Sequence, residues 1–465
     1  MAVPALELSS RETGELIVDR PPHSLTPIRL EFGETAKVRS EFVIAIRKRI
    51  TGGRIEIMTR SSLIYAVLTT AVAAMCVREG GTQQSSENVQ LRKEVRTILA
   101  LSSQVPDRGA VFYYLAVDYA LLGDSRKAIS YLQQCTHLRE GFDPAEDPAF
   151  ESLRAEPEFQ SLVRQVLSEF PKKHSASWAF SVAQKDLIPE GLAVDPRSHR
   201  FYMSGTNRRK IVSIAPNGAV SDFVSEATYN LQSVCGIRVD WRTEDVWANT
   251  CPENGEGAEL LHFDVQGKLL ERFPASGPGP HLFNDLVLQG SAAVYLTDSL
   301  ANEILRFDRR THAFTTLALP RQIYYPNGIA LSDDQRALYI ADAFGVFRYD
   351  LQTHAAREVL PGPSTTISGF DGLYWYRGSL VGIQNSLGSS RVVQFRLSPD
   401  GSHVTRTNIL EYRTDYVKRP TTGAIDNGIL YFMTNTESDH WKDNKISDPQ
   451  NLAPIRVAAI SLPAE

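Results

Sequence analysis

The sequence is poor in cysteine, with only four in 465 residues, and no two of them are spaced as Cys-x-x-Cys. A disulfide-dense scaffold and a Cys-x-x-Cys zinc site are therefore excluded, so stability must come from packing. The chain also lacks a basic excess, because 49 Lys and Arg stand against 54 Asp and Glu, for a formal net charge of -5. Nucleic acid and anionic membranes are therefore not the expected partners.

Long uncharged runs are scarce as well, and the longest extends from Ser61 to Val77. It follows Met58 and a basic residue and contains an Ala71-Val72-Ala73 site, as a secretory signal peptide does. Its 17 residues are marginal for a membrane-spanning helix. Residues 58–80 are therefore predicted to be a signal peptide, with a short membrane anchor as the alternative. We expect an exported protein, periplasmic or secreted, or else one anchored to the membrane.

Residues 1–57 have mixed charge and no sustained apolar period. Because a signal peptide normally begins at the initiating methionine, Met58 is a candidate start, and residues 1–57 would then be a non-native start. A disordered extension is the alternative that the composition leaves open.

Between residues 84 and 170, apolar residues recur at helical spacing, first at Leu91, Val95 and Ile98 and then on both sides of Gly123. The segment resembles a tetratricopeptide unit, whose large, small and turn positions are matched by Phe112, Leu115, Ala116, Tyr119, Gly123, Ala128 and Leu132. A single unit must lean on flanking helices or on the next domain. We therefore expect a structural cap, with a protein partner bound through this domain as the alternative.

A different pattern starts near residue 175 and occurs six times. Each copy has a polar or Gly-containing head, an apolar alternating strand and a second, often aromatic strand. The heads are EGLAVD at Glu190, CGIRVD at Cys235, NDLVLQ at Asn284, NGIALS at Asn327, DGLYWY at Asp371 and TGAIDN at Thr422, at intervals of 43 to 51 residues. Four short strands per repeat are typical of a propeller blade. The sequence predicts an all-β six-bladed β-propeller over residues 175–465, after an N-terminal α-helical domain.

The sixth repeat ends at RVAAISL without a fourth strand. A chain segment from elsewhere must therefore complete the last blade. We predict that residues 178–183, just upstream of the first head, close the ring in this way.

The first strand of each propeller blade lines the central channel, so the six heads should converge on one axis. Glu190 and Asp371 supply carboxylates, and Asn284 and Asn327 supply carboxamides. Oxygen ligands of this kind suit Ca²⁺, with Zn²⁺ or Mn²⁺ as alternatives. Pro-Asn-Gly and Asp-Gly are also common turn sequences. Four such heads on one axis nevertheless favour a metal site.

Four heads resemble motifs of the senescence marker protein, gluconolactonase and luciferin-regenerating-enzyme family, namely PEGLAVD at Glu190, FNDLVL at Asn284, PNGIALS at Asn327 and FDGLYW at Asp371. The resemblance covers residues 177–464. It implies metal ligation by Glu190, Asn327 and Asp371, with Asn284 as a fourth ligand or a substrate contact. It also implies a calcium-dependent hydrolase of lactones or related esters, with Asp371 as the base.

Four residues near these heads are further candidates. His281 is an alternative base or, equally in keeping with its position, a surface loop histidine. Asp285 is a ligand of a second, structural ion or a cap of a strand loop. Tyr324 and Tyr325 are predicted to wall the substrate pocket.

Cys235 and Cys251 are predicted at opposite ends of one hairpin. Export would permit a disulfide between them, and two free buried thiols are the alternative.

Two functions of other classes compete with the hydrolase. One is a non-catalytic propeller that binds or scaffolds other molecules. The other is a metal-free enzyme similar to strictosidine synthase. The carboxylates of Glu190 and Asp371 favour the metal-dependent enzyme, whose partner is a small-molecule lactone or ester, because a scaffold does not need them in its channel.

Overall fold

The computed structural model describes residues 81–442 and 445–463, with side chains from residue 87 onward except that of residue 442. The predicted extension at 1–57 and the predicted signal peptide or anchor at 58–80 lie outside these residues. In the part that is described, no helix is long and apolar enough to cross a membrane.

The described residues before the propeller form helices joined by short loops. The helices are α1 Gly81–Leu101, α2 Arg108–Leu121, α3 Ser125–Leu138 and α4 Pro157–Glu169, with a 3-10 helix at Pro148–Leu153. The apolar stripe of α1 packs inward, since Leu91, Val95 and Ile98 are buried.

Local sequence explains where α2 and α3 begin and how they meet. The side chains of Asp107 and Asp124 cap these helices by accepting hydrogen bonds from backbone amides three residues later. Gly123, with φ of 78°, supplies the left-handed backbone between the helices. Ala116 and Ala128 are fully buried, because small side chains allow the two antiparallel helices to approach closely. The predicted helices are confirmed.

The remaining chain is built from short strands. In chain order they are β1 Ser177–Val182, β2 Leu192–Val194, β3 Phe201–Gly205, β4 Lys210–Ile214, β5 Val220–Val224, β6 Val234–Val239, β7 Val246–Thr250, β8 Glu259–Phe263, β9 Leu269–Pro274, β10 Phe283–Gln289, β11 Ala293–Asp298, β12 Glu303–Asp308, β13 Ala313–Thr316, β14 Ile329–Leu331, β15 Ala337–Asp342, β16 Gly345–Asp350, β17 Ala356–Glu358, β18 Phe370–Tyr376, β19 Ser379–Gln384, β20 Arg391–Leu397, β21 Val404–Tyr412, β22 Gly423–Asp426, β23 Ile429–Asn435, β24 Trp441–Lys442, β25 Lys445–Ile446 and β26 Ile455–Ser461.

These strands form six antiparallel four-stranded sheets, so the predicted six-bladed propeller is confirmed. Blades 1 to 5 are the consecutive sets β2–β5, β6–β9, β10–β13, β14–β17 and β18–β21. Blade 6 has the order β22-β23-β26-β1, with β24 and β25 forming a small separate hairpin. Each predicted head lies at or just before the first strand of its blade.

The N-terminal strand closes the ring as predicted. β1 pairs with β26 in antiparallel register, from Ser177 opposite Ala459 to Val182 opposite Ile455. Val182 is fully buried in the core between blades 6 and 1. The last blade therefore depends on both ends of the propeller sequence, which removes two free sheet edges.

In blades 1 to 5 the second strands are buried along their whole length, as in β11, β15 and β19. Each blade packs against a neighbour on either side, so both faces of these strands are covered. This explains why their sequences read as nearly continuous apolar runs rather than strict alternation.

The helical segment packs on the propeller at blades 4 and 5. Asp107 Oδ2 accepts hydrogen bonds from Thr366 Oγ1 and from the Ile367 amide, both at 2.7 Å. The ring of Tyr114 packs edge-on against Phe344, with 5.5 Å between the ring centroids. The same aspartate thus caps α2 and holds that helix on the propeller.

A second buried aspartate fixes the loop that follows α3. Asp143 is fully buried, and its Oδ2 accepts from Ser389 Oγ at 2.7 Å and lies 3.0 Å from Arg413 Nε. The helical segment therefore caps the propeller, as we expected. A protein partner for this segment stays a prediction.

Candidate active site

Glycines in the heads let neighbouring blades meet tightly at the channel. A Cβ on Gly236 would lie 2.8 Å from the Asn284 carbonyl oxygen, and one on Gly328 would lie 2.7 Å from the Asp371 carbonyl oxygen. Only glycine avoids both clashes. Each head therefore lies directly beside the head of the next blade.

The ring of heads also closes between the last blade and the first. Thr422 Oγ1 donates a hydrogen bond to the Glu190 carbonyl oxygen at 2.6 Å. Between blades 5 and 6, the Gly372 amide donates to the Thr421 carbonyl oxygen at 3.1 Å. Residues more than two hundred positions apart in the chain are thus held around one axis.

Asp371 is the centre of a hydrogen-bonded group. Its Oδ1 accepts from Asn327 Nδ2 at 2.9 Å, and its Oδ2 accepts from Asn385 Nδ2 at 2.7 Å. Asn385 Nδ2 also donates to the Pro420 carbonyl oxygen at 2.9 Å. Both oxygens of the carboxylate are therefore oriented by amides from two blades.

Asn284 is linked to the same group through Ser299. Asn284 Nδ2 donates to Ser299 Oγ at 3.1 Å, and Ser299 Oγ donates to the Pro326 carbonyl oxygen at 2.6 Å. Pro326 directly precedes Asn327. The structure thus links Asn284 to the backbone that precedes Asn327, and Asn327 bonds directly to Asp371.

The fourth predicted ligand, Glu190, interacts with Asp371 electrostatically. Burial, together with repulsion from Asp371, raises the pKa of Glu190 well above its usual value. Burial also raises the pKa of Asp371 to about 6, although the hydrogen bonds from Asn385 and Asn327 oppose this. Within the described ranges, no lysine, arginine or histidine forms a salt bridge with either carboxylate. Neither of these neighbouring acids therefore has a cationic partner from the protein.

These four side chains fit a cation. Asn327 Oδ1 is buried and has no hydrogen-bond partner among the described residues. The amide nitrogen of the same side chain donates to Asp371, which fixes the direction of this oxygen. A buried carbonyl oxygen without a hydrogen-bond donor, near two acids without a cationic partner, is the kind of oxygen donor set that Ca²⁺ prefers. No group of three or more His, Cys, Asp or Glu that could hold a metal occurs in the described part of the chain. A site here would rely on the amides as well as on the two acids.

Asp285 has a cationic partner from the protein itself. Its carboxylate lies 2.9 Å from Arg238 Nη2 and also accepts from the Leu286 amide at 2.8 Å. An aspartate that already balances an arginine gains less from a metal ion. Of the two predictions for Asp285, the geometry favours the cap of a strand loop over the ligand of a second ion.

His281 forms a buried pair with Asp298. Its Nδ1 lies 2.6 Å from Asp298 Oδ2, and this hydrogen bond raises the pKa of His281 above its usual value. The residue is 8% exposed, so His281 is not a surface loop histidine. Its Nε2 faces Gly277. No contact to Asn284 or Asp371 is found for His281 in the described residues, so its role as a base stays a prediction.

The two cysteines of blade 2 form a disulfide. Cys235 and Cys251 are bonded, with 5.8 Å between their Cα atoms. Of the two alternatives left open by the sequence, the disulfide is the one adopted. The head of blade 2 is therefore not a thiol ligand.

A cavity of about 440 Å³ lies between the helical segment and the channel end of the propeller. Tyr324 and Tyr325 line it, as does Asn385, which contacts Asp371. Residues of α1 and α2 form its other wall. Its volume suits a small-molecule ligand. The helical segment is therefore part of the pocket.

Comparisons with known proteins give likenesses of fold only. No family model matches the sequence, and no curated protein sequence matches it significantly. A gluconolactonase from Xanthomonas campestris is 15% identical, with a TM-score of 0.44, and the match covers 62% of this chain and 88% of that one. Virginiamycin B lyase from Staphylococcus aureus is 16% identical, with a TM-score of 0.40, and the match covers 54% of this chain and 80% of that one. A PQQ-bound aldose sugar dehydrogenase from Streptomyces coelicolor is 14% identical, with a TM-score of 0.42, and the match covers 63% of this chain and 99% of that one.

Sequence reasoning did not include Ser299 and Asn385 in the site. Both directly follow a second strand, and loops at that end of the blade lie beside the heads of the next one. A polar residue at this position in more than one blade was the available signal. The helix residues of the cavity gave no such signal, because their position depends on how the helices dock.

Proposed function

We propose that the protein is a metal-dependent hydrolase of lactones or related esters, acting at the channel heads. The observation that carries the proposal is the group formed by Glu190, Asn327 and Asp371, in which two carboxylates lack a cationic partner and Asn327 Oδ1 lacks a donor. Burial of two acids without a cationic partner is energetically costly, and a propeller that only scaffolds other molecules does not require it.

Glu190, Asn284, Asn327 and Asp371 would hold the ion, with Ca²⁺ the best fit and Zn²⁺ or Mn²⁺ as alternatives. When bound, the ion supplies Lewis-acid polarisation of the carbonyl of the substrate. The hydrogen bonds from Asn385 and Asn327 orient Asp371 before any ligand arrives.

Asp371 is the proposed base. It accepts a proton from the water whose oxygen bonds to the carbonyl carbon, and the proton goes to the alkoxide when the ring or ester C–O bond breaks. A carboxylate that binds a cation loses basicity, so these two roles of Asp371 compete. His281, oriented by Asp298, is the alternative base.

The cavity under the helical segment is the proposed substrate pocket. Tyr324 and Tyr325 contribute to its wall on the propeller side. Asn385 lines the cavity and donates to Asp371, so it connects the pocket with the proposed base. A lid of helices also limits access of bulk water to the reacting group.

Export of the protein is proposed from a separate observation. The Cys235–Cys251 disulfide fits an oxidising compartment, as does the predicted signal peptide at 58–80. Anchoring to the membrane remains the alternative.

The decisive experiment measures hydrolysis of a panel of γ- and δ-lactones and aryl esters with added Ca²⁺ and with chelator. We expect Asn327→Ala and Asp371→Ala each to lower kcat/KM at least about a hundredfold. They should also weaken Ca²⁺ binding measured by calorimetry. Asn217→Ala, in an exposed turn, is the matched control and should behave as wild type.

Two outcomes would contradict the proposal in different ways. Lactonase activity that survives both substitutions and the chelator would reject the metal site and favour a metal-free enzyme. Ca²⁺ binding without hydrolysis of any substrate would favour a binding protein. His281→Asn separates the two bases. Loss of activity with unchanged Ca²⁺ affinity would assign the base to His281, whereas retained activity would leave Asp371 as the base.

A further inference from the structure

The helical wall of the cavity carries a buried acidic side chain with no partner. Asp118 on α2 is 3% exposed and lines the cavity. Its Oδ2 makes no hydrogen bond to any described residue. Burying a carboxylate without a partner is costly, so a ligand that supplies one would be stabilised there.

The surroundings of Asp118 are acidic. Glu94 on α1 also lines the cavity, where Gln90 Nε2 donates to its Oε1 at 2.8 Å. The cavity lining holds four carboxylates against two basic side chains. One of the basic pair, Arg419, is already bound to Asp439 at 2.7 Å. The cavity lining therefore has an excess of acidic groups.

Aromatic side chains lie on both walls of the cavity, Tyr114 on α2 and Tyr324 and Phe344 on the propeller. The ring of Phe344 packs edge-on against both Tyr114 and Tyr324, with centroid distances of 5.5 and 5.9 Å. All three line the cavity. Aromatic faces beside carboxylates are suited to an organic cation. A bare metal ion would leave most of a 440 Å³ cavity unfilled.

We propose that Asp118 and Glu94, with these aromatic side chains, bind a positively charged nitrogen on the substrate. As a statement about the substrate, this rests on the proposed hydrolase, and the favoured lactone or ester then carries an ammonium group. As a statement about binding, it concerns the cavity alone and can be tested without catalysis.

Proton linkage supports the inference. Burial, and then repulsion from Glu94, raises the pKa of Asp118 to about 8. A bound cation favours the ionised form, so it must lower this pKa and release a proton. The charged groups of α1 that line the cavity are Glu94 and the exposed Lys93. No basic group pairs with Asp118 among the described residues. Affinity for a permanent cation should therefore rise between pH 6.5 and 8.5.

The test uses benzyltrimethylammonium, whose charge does not change with pH, and 2-methyl-1-phenylpropan-2-ol as its neutral counterpart. Calorimetry on the whole protein should show at least about tenfold tighter binding of the cation. Asp118→Asn should remove that preference, because it keeps the shape but not the charge. Glu146→Gln, at an exposed position on the rim of the same cavity, makes the same charge change and should keep the preference.

Equal binding of both probes by the wild type would overturn the inference. So would equal losses in Asp118→Asn and Glu146→Gln, which would indicate only a diffuse negative field. A thermal melt that shows Asp118→Asn to be folded separates loss of the site from loss of the fold.

A second arm compares a γ-lactone that carries an aminoalkyl chain with its alkyl analogue. Asp118→Asn should lower kcat/KM for the cationic lactone alone. If no lactone is hydrolysed but the cation preference is present and depends on Asp118, the proposed hydrolysis fails and the cation site stands.

Discussion

Replacing Asp118 with asparagine should stabilise the protein at high pH and change nothing at low pH. The pKa of Asp118 is about 8 in the folded protein, mainly because the side chain is buried, whereas an unfolded aspartate titrates near 3.9. The folded state therefore binds the proton more tightly. Its stability is fully present below about pH 4 and is lost as the pH rises through about 8.

The magnitude follows from this difference in pKa. About four units, at ~1.4 kcal/mol each, correspond to about 6 kcal/mol once Asp118 is fully ionised. Water that enters the cavity relieves part of the cost, so we expect about 3 kcal/mol at pH 9. For a folded part of about 400 residues, this is a rise in Tm of about 4 °C.

Thermal unfolding of wild type, Asp118→Asn and Glu146→Gln should be followed by circular dichroism at pH 4, 6 and 9. The Tm of Asp118→Asn should equal that of the wild type at pH 4 and exceed it increasingly at pH 6 and 9. Glu146→Gln should follow the wild type, since that side chain is exposed. Parallel profiles of wild type and Asp118→Asn would refute a raised pKa for Asp118.

Three other changes have expected outcomes. Asn385→Leu removes the hydrogen bond to Asp371 and should lower kcat/KM about tenfold or more in a lactonase assay. Asp107→Ala removes both the cap of α2 and its bonds to the propeller, so urea unfolding should show a loss of about 3 kcal/mol. Replacing Cys235 and Cys251 with serine should cost about 3 kcal/mol in the same assay, because the loop that they close is no longer constrained in the unfolded chain.

Each of these predictions has its own control. Asn217→Ala, in an exposed turn of blade 1, should leave activity unchanged. Asp124→Ala removes the cap of α3 but no contact with the propeller, so it should cost only about 1 kcal/mol. If Asp124→Ala lost as much stability as Asp107→Ala, Asp107 would act only as a helix cap. Equal stability of oxidised and reduced wild type would contradict a stabilising Cys235–Cys251 bond.

Much of the propeller could be predicted from sequence because its signals are local and repeated. The heads at Glu190, Asn284, Asn327 and Asp371 mark inner strands wherever they occur, and their spacing counts the blades. The missing fourth strand of the last repeat even indicated the role of β1. Because every blade solves the same packing problem, one pattern recognised correctly gives all six.

The site was harder to predict, since its electrostatics depend on which side chains meet across blades. The sequence placed Asp285 next to Asn284 as a candidate for a second ion, but only the fold brings Arg238 to it from the preceding blade. It placed His281 in a loop, whereas the fold buries the ring against Asp298. Such pairings join residues that have no local relation in the chain.

The sequence by itself determined the blade count, the helices before the propeller and the oxygen-bearing residues on the channel axis, since each is written in periodic patterns of nearby residues. Only the tertiary structure decided that α1 and α2 roof the channel end of the propeller. That docking places Asp118 in a shared cavity with Tyr324 and Asn385, because contacts such as Asp107 with Thr366 join segments more than two hundred residues apart. A pocket between two independently patterned segments arises from their packing, and neither segment encodes it alone.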